Sequence, residues 1–245
     1  MNIVVYNSSP RKERGNTHVI VSEFLAGAAE KGATTRVHFL WGRRIEPCTA
    51  CYSCWTRTPG ECVHHDDMPE LLTDFTSADL VVFATPLYVD NISGVMKLFM
   101  DRLISFGDPH MVQDQSGEAR HVKTHIRPTA FGIISNCGFP EQSQFAVLRT
   151  MIRRMARNFH CELVAEIYRA AGGLLTSDLP PLRKAVSEYR ERVRQAGRET
   201  VALGRIQPDT QQALEAPISP IVADTSEYIR RVNALWDAKL GKPRE

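Results

Sequence analysis

Cys48, Cys51, Cys54 and Cys62 fall within fifteen residues, so one short loop must accommodate four thiols. Only Cys137 and Cys161 lie elsewhere. With 43% hydrophobic and 24% charged residues in 245, the chain is long enough to bury a core without disulfides. A tight cysteine cluster in a reducing compartment points to metal or redox chemistry. The expected location is the cytoplasm: Met1-Asn2-Ile3-Val4-Val5-Tyr6 reads as a strand rather than a basic and then apolar leader. No apolar run nears the ~20 residues of a membrane span. A net charge of +2 argues against general nucleic-acid or membrane affinity and leaves a small molecule or a redox protein as the expected partner.

Short β-branched runs alternate with amphipathic segments, the pattern of βαβ units around a parallel sheet. Strands are expected at Ile3 to Tyr6, Thr35 to Leu40, Leu80 to Thr85, Thr129 to Ser135 and Glu162 to Ala170. Within the third and fourth, the runs Leu80 to Ala84 and Ala130 to Ile134 are apolar throughout, as central strands covered on both faces are. Helices are expected from Asn16 to Gly32, Met68 to Phe75, Ser93 to Leu103 and Gln142 to Phe159. The architecture is α/β, a flavodoxin-like doubly wound five-stranded sheet of order 2-1-3-4-5, with its ligand crevice at the carboxyl ends of the strands. Residues 1–175 form that domain, with a cysteine-rich loop at 47–67. Residues 176–245 form a helical extension: a charged helix from Leu182 to Leu203, a polar stretch, and a last helix from Thr225 to Leu240. On that last helix Tyr228, Val232, Leu235 and Trp236 make an apolar face suited to the core or to another subunit.

The first strand runs into Ser8-Ser9-Pro10-Arg11 and then Gly15-Asn16-Thr17 at a helix start. Hydroxyls, unpaired backbone N–H groups and the positive end of a helix dipole meet there, which makes an anion site. Ser8, Ser9, Asn16 and Thr17 are short donors, and Arg11 adds charge and a fork of N–H groups. An ordinary capped turn is the other reading. The loop is neither a Walker loop nor the Gly-x-Gly-x-x-Gly of a dinucleotide fold.

Ser9-Pro10-Arg11 with Gly15-Asn16-Thr17, Pro47-Cys48-x2-Cys51-x2-Cys54, Cys62-x3-Asp66-Asp67-Met68, Pro86-Leu87-Tyr88 and Lys97-x3-Asp101-Arg102 stand in that order along residues 1–175. In these blocks the chain resembles the NAD(P)H-dependent FMN reductases of flavodoxin-like fold, and its four-cysteine spacing resembles their iron–sulfur flavoprotein branch. The resemblance implies that Ser9, Arg11, Asn16 and Thr17, with Ser8, hold the FMN phosphate. It implies that Pro86, Leu87 and Tyr88 line the isoalloxazine ring, with Asn91 adding a polar contact. Ser135, Asn136 and Gly138 form the third loop at that edge, with Cys137 among them as a small packed residue. Lys97, Asp101 and Arg102 are expected to form a salt-bridge set. No acid–base residue is assigned to catalysis, because the cofactor supplies the reactivity.

Cys62 returns toward the other three thiols after the turn Thr58-Pro59-Gly60, so four sulfurs can meet at one centre. A [4Fe–4S] cluster is the expectation; zinc, with His64 and His65 nearby, and four free thiols are the alternatives. His110, His121 and His125 sit in a long polar connection and are expected to face solvent. Arg149, Arg153 and Arg157, with Arg154 beside them, make a stripe read either as a solvated face or as a dock for acidic ferredoxin or nicotinamide phosphates.

The expected function is an FMN-dependent oxidoreductase relaying electrons between FMN and the [4Fe–4S] cluster, with NAD(P)H as a possible donor and a small molecule or ferredoxin-type protein as partner. The resemblance implies a homo-oligomer, dimer or tetramer, in which the cluster of one subunit approaches the flavin of another. The alternatives are a cluster-free NAD(P)H-dependent FMN, quinone or azo reductase and a non-enzymatic zinc-stabilised binding protein.

Overall fold

A computed structural model describes residues 1–123, 128–177 and 179–241. The strands are β1 (Asn2–Asn7), β2 (Thr34–Phe39), β3 (Leu80–Pro86), β4 (Met111–Gln113), β5 (Ala119–His121), β6 (Ala130–Asn136) and β7 (Glu162–Arg169). Five of them form one parallel sheet of order β2-β1-β3-β6-β7, the flavodoxin-like arrangement expected. β4 and β5 make a small antiparallel hairpin in the connection that carries His110 and His121. Two three-residue strands leave no periodic signal, so in the sequence this connection shows only as a long polar stretch. His125 lies outside the described residues.

Successive side chains of a strand point to opposite faces, and β1 and β3 are apolar on both. Ile3, Val5, Val82 and Ala84 join one core cluster; Val4, Tyr6, Val81 and Phe83 join the other. The first face is covered by α1 (Asn16–Glu30) and, from far along the chain, by α6 (Pro180–Leu203). The second is covered by α3 (Met68–Ser77), α4 (Gly94–Arg102) and α5 (Ala146–Asn158), which follow the single-turn α2 (Ser53–Thr56) of the cysteine loop. Gln142–Phe145, expected as the start of α5, is a separate 3-10 turn.

Glycines let α1 and α6 touch backbone to backbone. A Cβ on Gly27 would stand 1.9 Å from the carbonyl oxygen of Arg194, and one on Gly197 2.0 Å from that of Phe24. The polar stretch between α6 and the last helix holds two further helices, α7 (Pro208–Glu215) and α8 (Pro220–Ala223). Each begins on proline, which suits a first helical turn because its missing N–H would have no partner there. Arg169, at the end of β7, fastens this region. Its guanidinium donates to the carbonyls of Leu214 and Ala216 at 3.3 and 3.1 Å and lies 4.8 Å over the Tyr189 ring. The last helix, α9 (Thr225–Leu240), buries Tyr228 and packs Val232 partly, while Leu235 and Trp236 stay exposed. No helix among the described residues is long and apolar enough to cross a membrane.

Replacing Gly197 by Ala forces the two backbones apart and is expected to cost at least about 1–3 kcal/mol, the usual range for overpacking. The check is the urea midpoint of Gly197→Ala against Ala196→Gly on the same helix, where only propensity and one buried methyl are lost.

Candidate flavin and cysteine-loop site

In a parallel sheet every strand-to-helix loop leaves from the same edge. The loops after β1, β2, β3 and β6 therefore share the carboxyl edge, where ligands bind in open α/β sheets. The first of them, Asn7 to Gly15, is tightly drawn. The Ser9 backbone N–H donates to Asn7 Oδ1 at 2.9 Å, and a Cβ on Gly15 would lie 2.4 Å from Ser9 Oγ. Gly15 caps α1 without any side-chain hydrogen bond, so no side chain of the cap satisfies the first-turn N–H groups. Ser9 and Thr17 are buried at this turn, Asn16 is half-buried and Arg11 is exposed. Ser8 has a different environment. Its hydroxyl is fully buried, donates to the Ala84 carbonyl at 3.3 Å and accepts from Ser93 Oγ at 2.7 Å.

The loops are tied to one another. Asn136 Nδ2 donates to Thr17 Oγ1 at 2.7 Å, joining the third loop to the first. The Leu87 N–H donates to the Asn136 carbonyl at 2.9 Å, joining the second to the third. Tyr88 and Asn91 exchange backbone hydrogen bonds around Val89 and Asp90, whose φ values are +48° and +58°. A β-branched residue is strained at that φ, and Val89 is 98% exposed, so contacts of its own side chain do not hold the turn. Two buried polar atoms at the strand ends, Asn7 Nδ2 and Ser135 Oγ, find no partner among the described residues. Orphaned polar atoms beside a hydroxyl-lined helix start fit a polar cofactor. Tyr228 of α9 donates to the Gly138 carbonyl at 2.6 Å, so the carboxyl-terminal helix reaches the third loop. Cys137 packs there as a small residue, its thiol pushed up to about 11 by burial.

The cysteine loop leaves β2 at the same edge. Cys48, Cys51, Cys54 and Cys62 border one recess, together with His64, Arg102 and Ile104. Ala50 and Tyr52, between the first three cysteines, adopt φ of +52° and +55°, a left-handed backbone rare in residues with side chains. Burial, and after it the proximity of Cys62, raises the Cys54 thiol, whereas hydrogen bonds from Ser53 lower that of Cys51. Among the described residues no three Cys, His, Asp or Glu side chains stand at metal-ligating spacing. Four thiols around one recess, with the Arg102 cation in its wall, still supply the donor set that an iron–sulfur cluster needs. His64 Nε2 is buried there without a partner among the described residues.

The recess depends on a residue pair that the sequence reading assigned otherwise. Lys97 does pair with Asp101, but Arg102 turns inward and meets Asp66 at 2.5 Å, both side chains being almost wholly buried. Asp66 also accepts the N–H groups of Glu46 and Met68, at 2.9 and 3.1 Å, and Arg102 donates to the Glu46 carbonyl at 2.9 Å. The two ends of the cysteine loop are thereby closed on one carboxylate. Burial by itself would raise the Asp66 carboxyl, yet these hydrogen bonds outweigh it and hold the group below the usual carboxylate range.

The arginine stripe of α5 is ion-paired, with Arg153 and Arg154 still exposed to solvent. Arg149 pairs with Glu215, Arg153 with Glu166, Arg154 with Glu118 and Arg157 with Asp114, at 3.0, 3.2, 2.5 and 2.6 Å. His110 is exposed and bonds Asp108. His121 departs from the solvent-facing expectation: its ring lies 5.6 Å from that of Trp55, and its Nδ1 is buried.

A flavodoxin-like sheet with a hydroxyl-rich helix start and a strained turn after the third strand defines the class of flavin-binding α/β proteins. The model of the NADPH-dependent FMN reductase family matches residues 1–123, and the chain belongs to that family. Over 102 residues the chain is 34% identical to an iron–sulfur flavoprotein of Methanocaldococcus jannaschii, covering 42% of this chain and 51% of that one. Over 104 residues it is 34% identical to an iron–sulfur flavoprotein of Methanosarcina thermophila, covering 42% and 53%. The chain thus spans about half the length of the curated relatives it matches. In fold it is similar to an NAD(P)H:quinone oxidoreductase from Methanothermobacter marburgensis, with TM-score 0.60, 16% identity and coverage of 81% and 96%. It is also similar to an FMN-dependent NADH-azoreductase from Bacillus anthracis, with TM-score 0.59, 16% identity and coverage of 82% and 99%.

Asp66→Asn keeps the shape of the pair and removes its charge. Breaking a buried pair in this way is expected to cost about 3–5 kcal/mol at neutral pH. A carboxyl held below its unfolded value of about 3.9 stabilises fully above that value and loses its contribution as pH falls through the folded one. Denaturation against pH is therefore expected to show an acid limb below about pH 4 in the parent that is reduced in Asp66→Asn.

Proposed function

We propose that the chain is an FMN-dependent oxidoreductase that also carries a [4Fe–4S] cluster on Cys48, Cys51, Cys54 and Cys62. The observation that carries this reading is that all four thiols border one recess. Similarity over this stretch to iron–sulfur flavoproteins supports it. When bound, FMN supplies both two-electron and one-electron chemistry and the cluster supplies one-electron chemistry, so a nicotinamide or ferredoxin-type donor and a one-electron acceptor can be served together.

The chain's own residues bind and orient. Ser9, Arg11, Asn16 and Thr17 hold the phosphate with the first-turn N–H groups of α1. Ser8 shapes that loop from beneath through Ala84 and Ser93. Pro86, Leu87, Tyr88 and Asn91 wall the ring, and Ser135, Asn136 and Gly138 supply its polar edge. The protein acts in the cytoplasm as a homo-oligomer, with residues 176–245 contributing to assembly through the exposed Leu235 and Trp236 of α9.

One observation favours a second reading, a cluster-free NAD(P)H-dependent FMN, quinone or azo reductase: the absence of ligating spacing among the described cysteines. Visible absorption of protein purified without oxygen, with iron and FMN quantified on the same sample, separates the two. Flavin bands with a broad shoulder that bleaches on reduction and about four irons per chain are the expected result. Flavin without iron, from iron-replete cells, selects the second reading. Cys51→Ala is expected to keep FMN, lose iron and stop reduction of one-electron acceptors; a variant as fast as the parent would rule the relay out.

A further inference from the structure

Ala185, Glu188, Tyr189 and Arg192 recur at three- and four-residue spacing along α6, so they share one face of that helix. Together with Arg169 of β7 and the segment from Pro217 to Ala223 they line a cavity of about 820 Å³ including its open mouth. That size is within the range of small-molecule sites, typically about 300–1,000 Å³. Pro217, Ile218, Pro220 and Ala223 make one wall apolar. None of these residues belongs to the flavin loops or to the cysteine loop.

Arg169 is 1% exposed, and its N–H groups reach the carbonyl oxygens of Ala170, Leu214 and Ala216 at 2.8, 3.3 and 3.1 Å. Carbonyls satisfy N–H groups but bring no negative charge, and no carboxylate pairs with this guanidinium among the described residues. A buried charge without a counter-ion is costly. Burial lowers the Arg169 guanidinium from its ordinary value, and the neighbouring Arg192 cation lowers it further. Arg192 donates to the Ala213 carbonyl at 3.4 Å and has no acidic partner among the described residues. Glu188, the acidic residue of the lining, stands 3.9 Å from Lys184 and is engaged there. The Tyr189 hydroxyl, on a residue 2% exposed, and Ser219 Oγ are both buried without a partner among the described residues. Burial pushes the Tyr189 phenol up to about 12, so at neutral pH it is a neutral hydroxyl with a proton to donate.

We propose that this cavity binds a small organic carboxylate, its anionic group between Arg169 and Arg192 and its hydrocarbon body along Ile218 and Pro220. Two cations beside one engaged carboxylate leave a positive excess that a monoanion neutralises. Its oxygens are the acceptors that the Tyr189 and Ser219 hydroxyls lack. The apolar wall favours an anion with a hydrocarbon body over inorganic phosphate, which would leave that surface unfilled. The assignment stands apart from the flavin and the cluster and does not rest on either.

The test uses full-length, FMN-loaded protein titrated calorimetrically with benzoate, with hexanoate, and with inorganic phosphate at matched ionic strength. Saturable binding of both carboxylates, and weaker binding of phosphate, is the expected result. Arg192→Gln leaves the Arg169 bonds in place, and Ala223→Trp fills the cavity from an exposed position. Each is expected to weaken carboxylate binding about tenfold with FMN content unchanged. Tyr189→Phe is expected to weaken it similarly and, without ligand, to melt no earlier than the parent, because it removes a hydroxyl that has no partner among the described residues. The proposal is overturned if neither carboxylate binds, if phosphate binds as tightly, or if Arg192→Gln and Ala223→Trp bind both as the parent does. A change of oligomeric state in Ala223→Trp also overturns it, since the cavity would then be a recess between copies of the chain.

Discussion

A parallel sheet buried on both faces forces each strand to be followed by a crossing helix, and all of those crossings begin at one edge. The site rests on that constraint. Four neighbouring strands end there, Asn7 paired with Phe39 and Ala84 and Pro86 with Asn136, and the chain spends its unusual chemistry just beyond them: serines after the first, cysteines after the second, a strained turn after the third, an asparagine clamp after the fourth. None of these loops could be moved to the other edge without reversing the sheet.

What then differs among the loops is how each is kept in shape. The loops after β1 and β6 hold each other through Thr17 and Asn136. The loop after β2 is long and contains no element larger than α2, and it relies on Asp66 and Arg102 to draw its ends together. That arrangement puts a cation in the wall of a recess lined by thiols, and one guanidinium both closes the loop and biases its interior toward negative charge. Elsewhere cations fasten one element to another. The four arginines of α5 bind the hairpin, β7 and α7, and Arg169 holds the end of α7 by its carbonyls.

The sheet and its order were legible because the central strands are continuous apolar runs and the helices carry a four-residue repeat. Leu80 to Pro86 is buried at every position, and α9 begins and ends at the residues its pattern indicated. Interactions between distant residues were not legible. Nothing around Arg102 in the sequence distinguishes it from Asp101 and Lys97, since the partner that turns it inward lies 36 residues away. Asn7 and Ser135 look like ordinary strand-end polars until their orphaned atoms are seen. The arginines of α5 form a stripe in sequence, and their acidic partners come from three separate elements. Local pattern reports which face is buried, but it carries no record of which charge meets which.

The close contact of α1 with α6 has a consequence for how the protein is made. The two helices are about 150 residues apart in the chain, and contacts of such long range form late, after the cost of closing the intervening loop has been met. Synthesis proceeds from the amino terminus, so α1 and the serine loop that precedes it emerge earlier and wait with an open apolar side for a helix that the ribosome delivers about 150 residues later. A nascent chain interrupted before Gly197 would possess every residue of the first loop and lack the surface against which its helix is set.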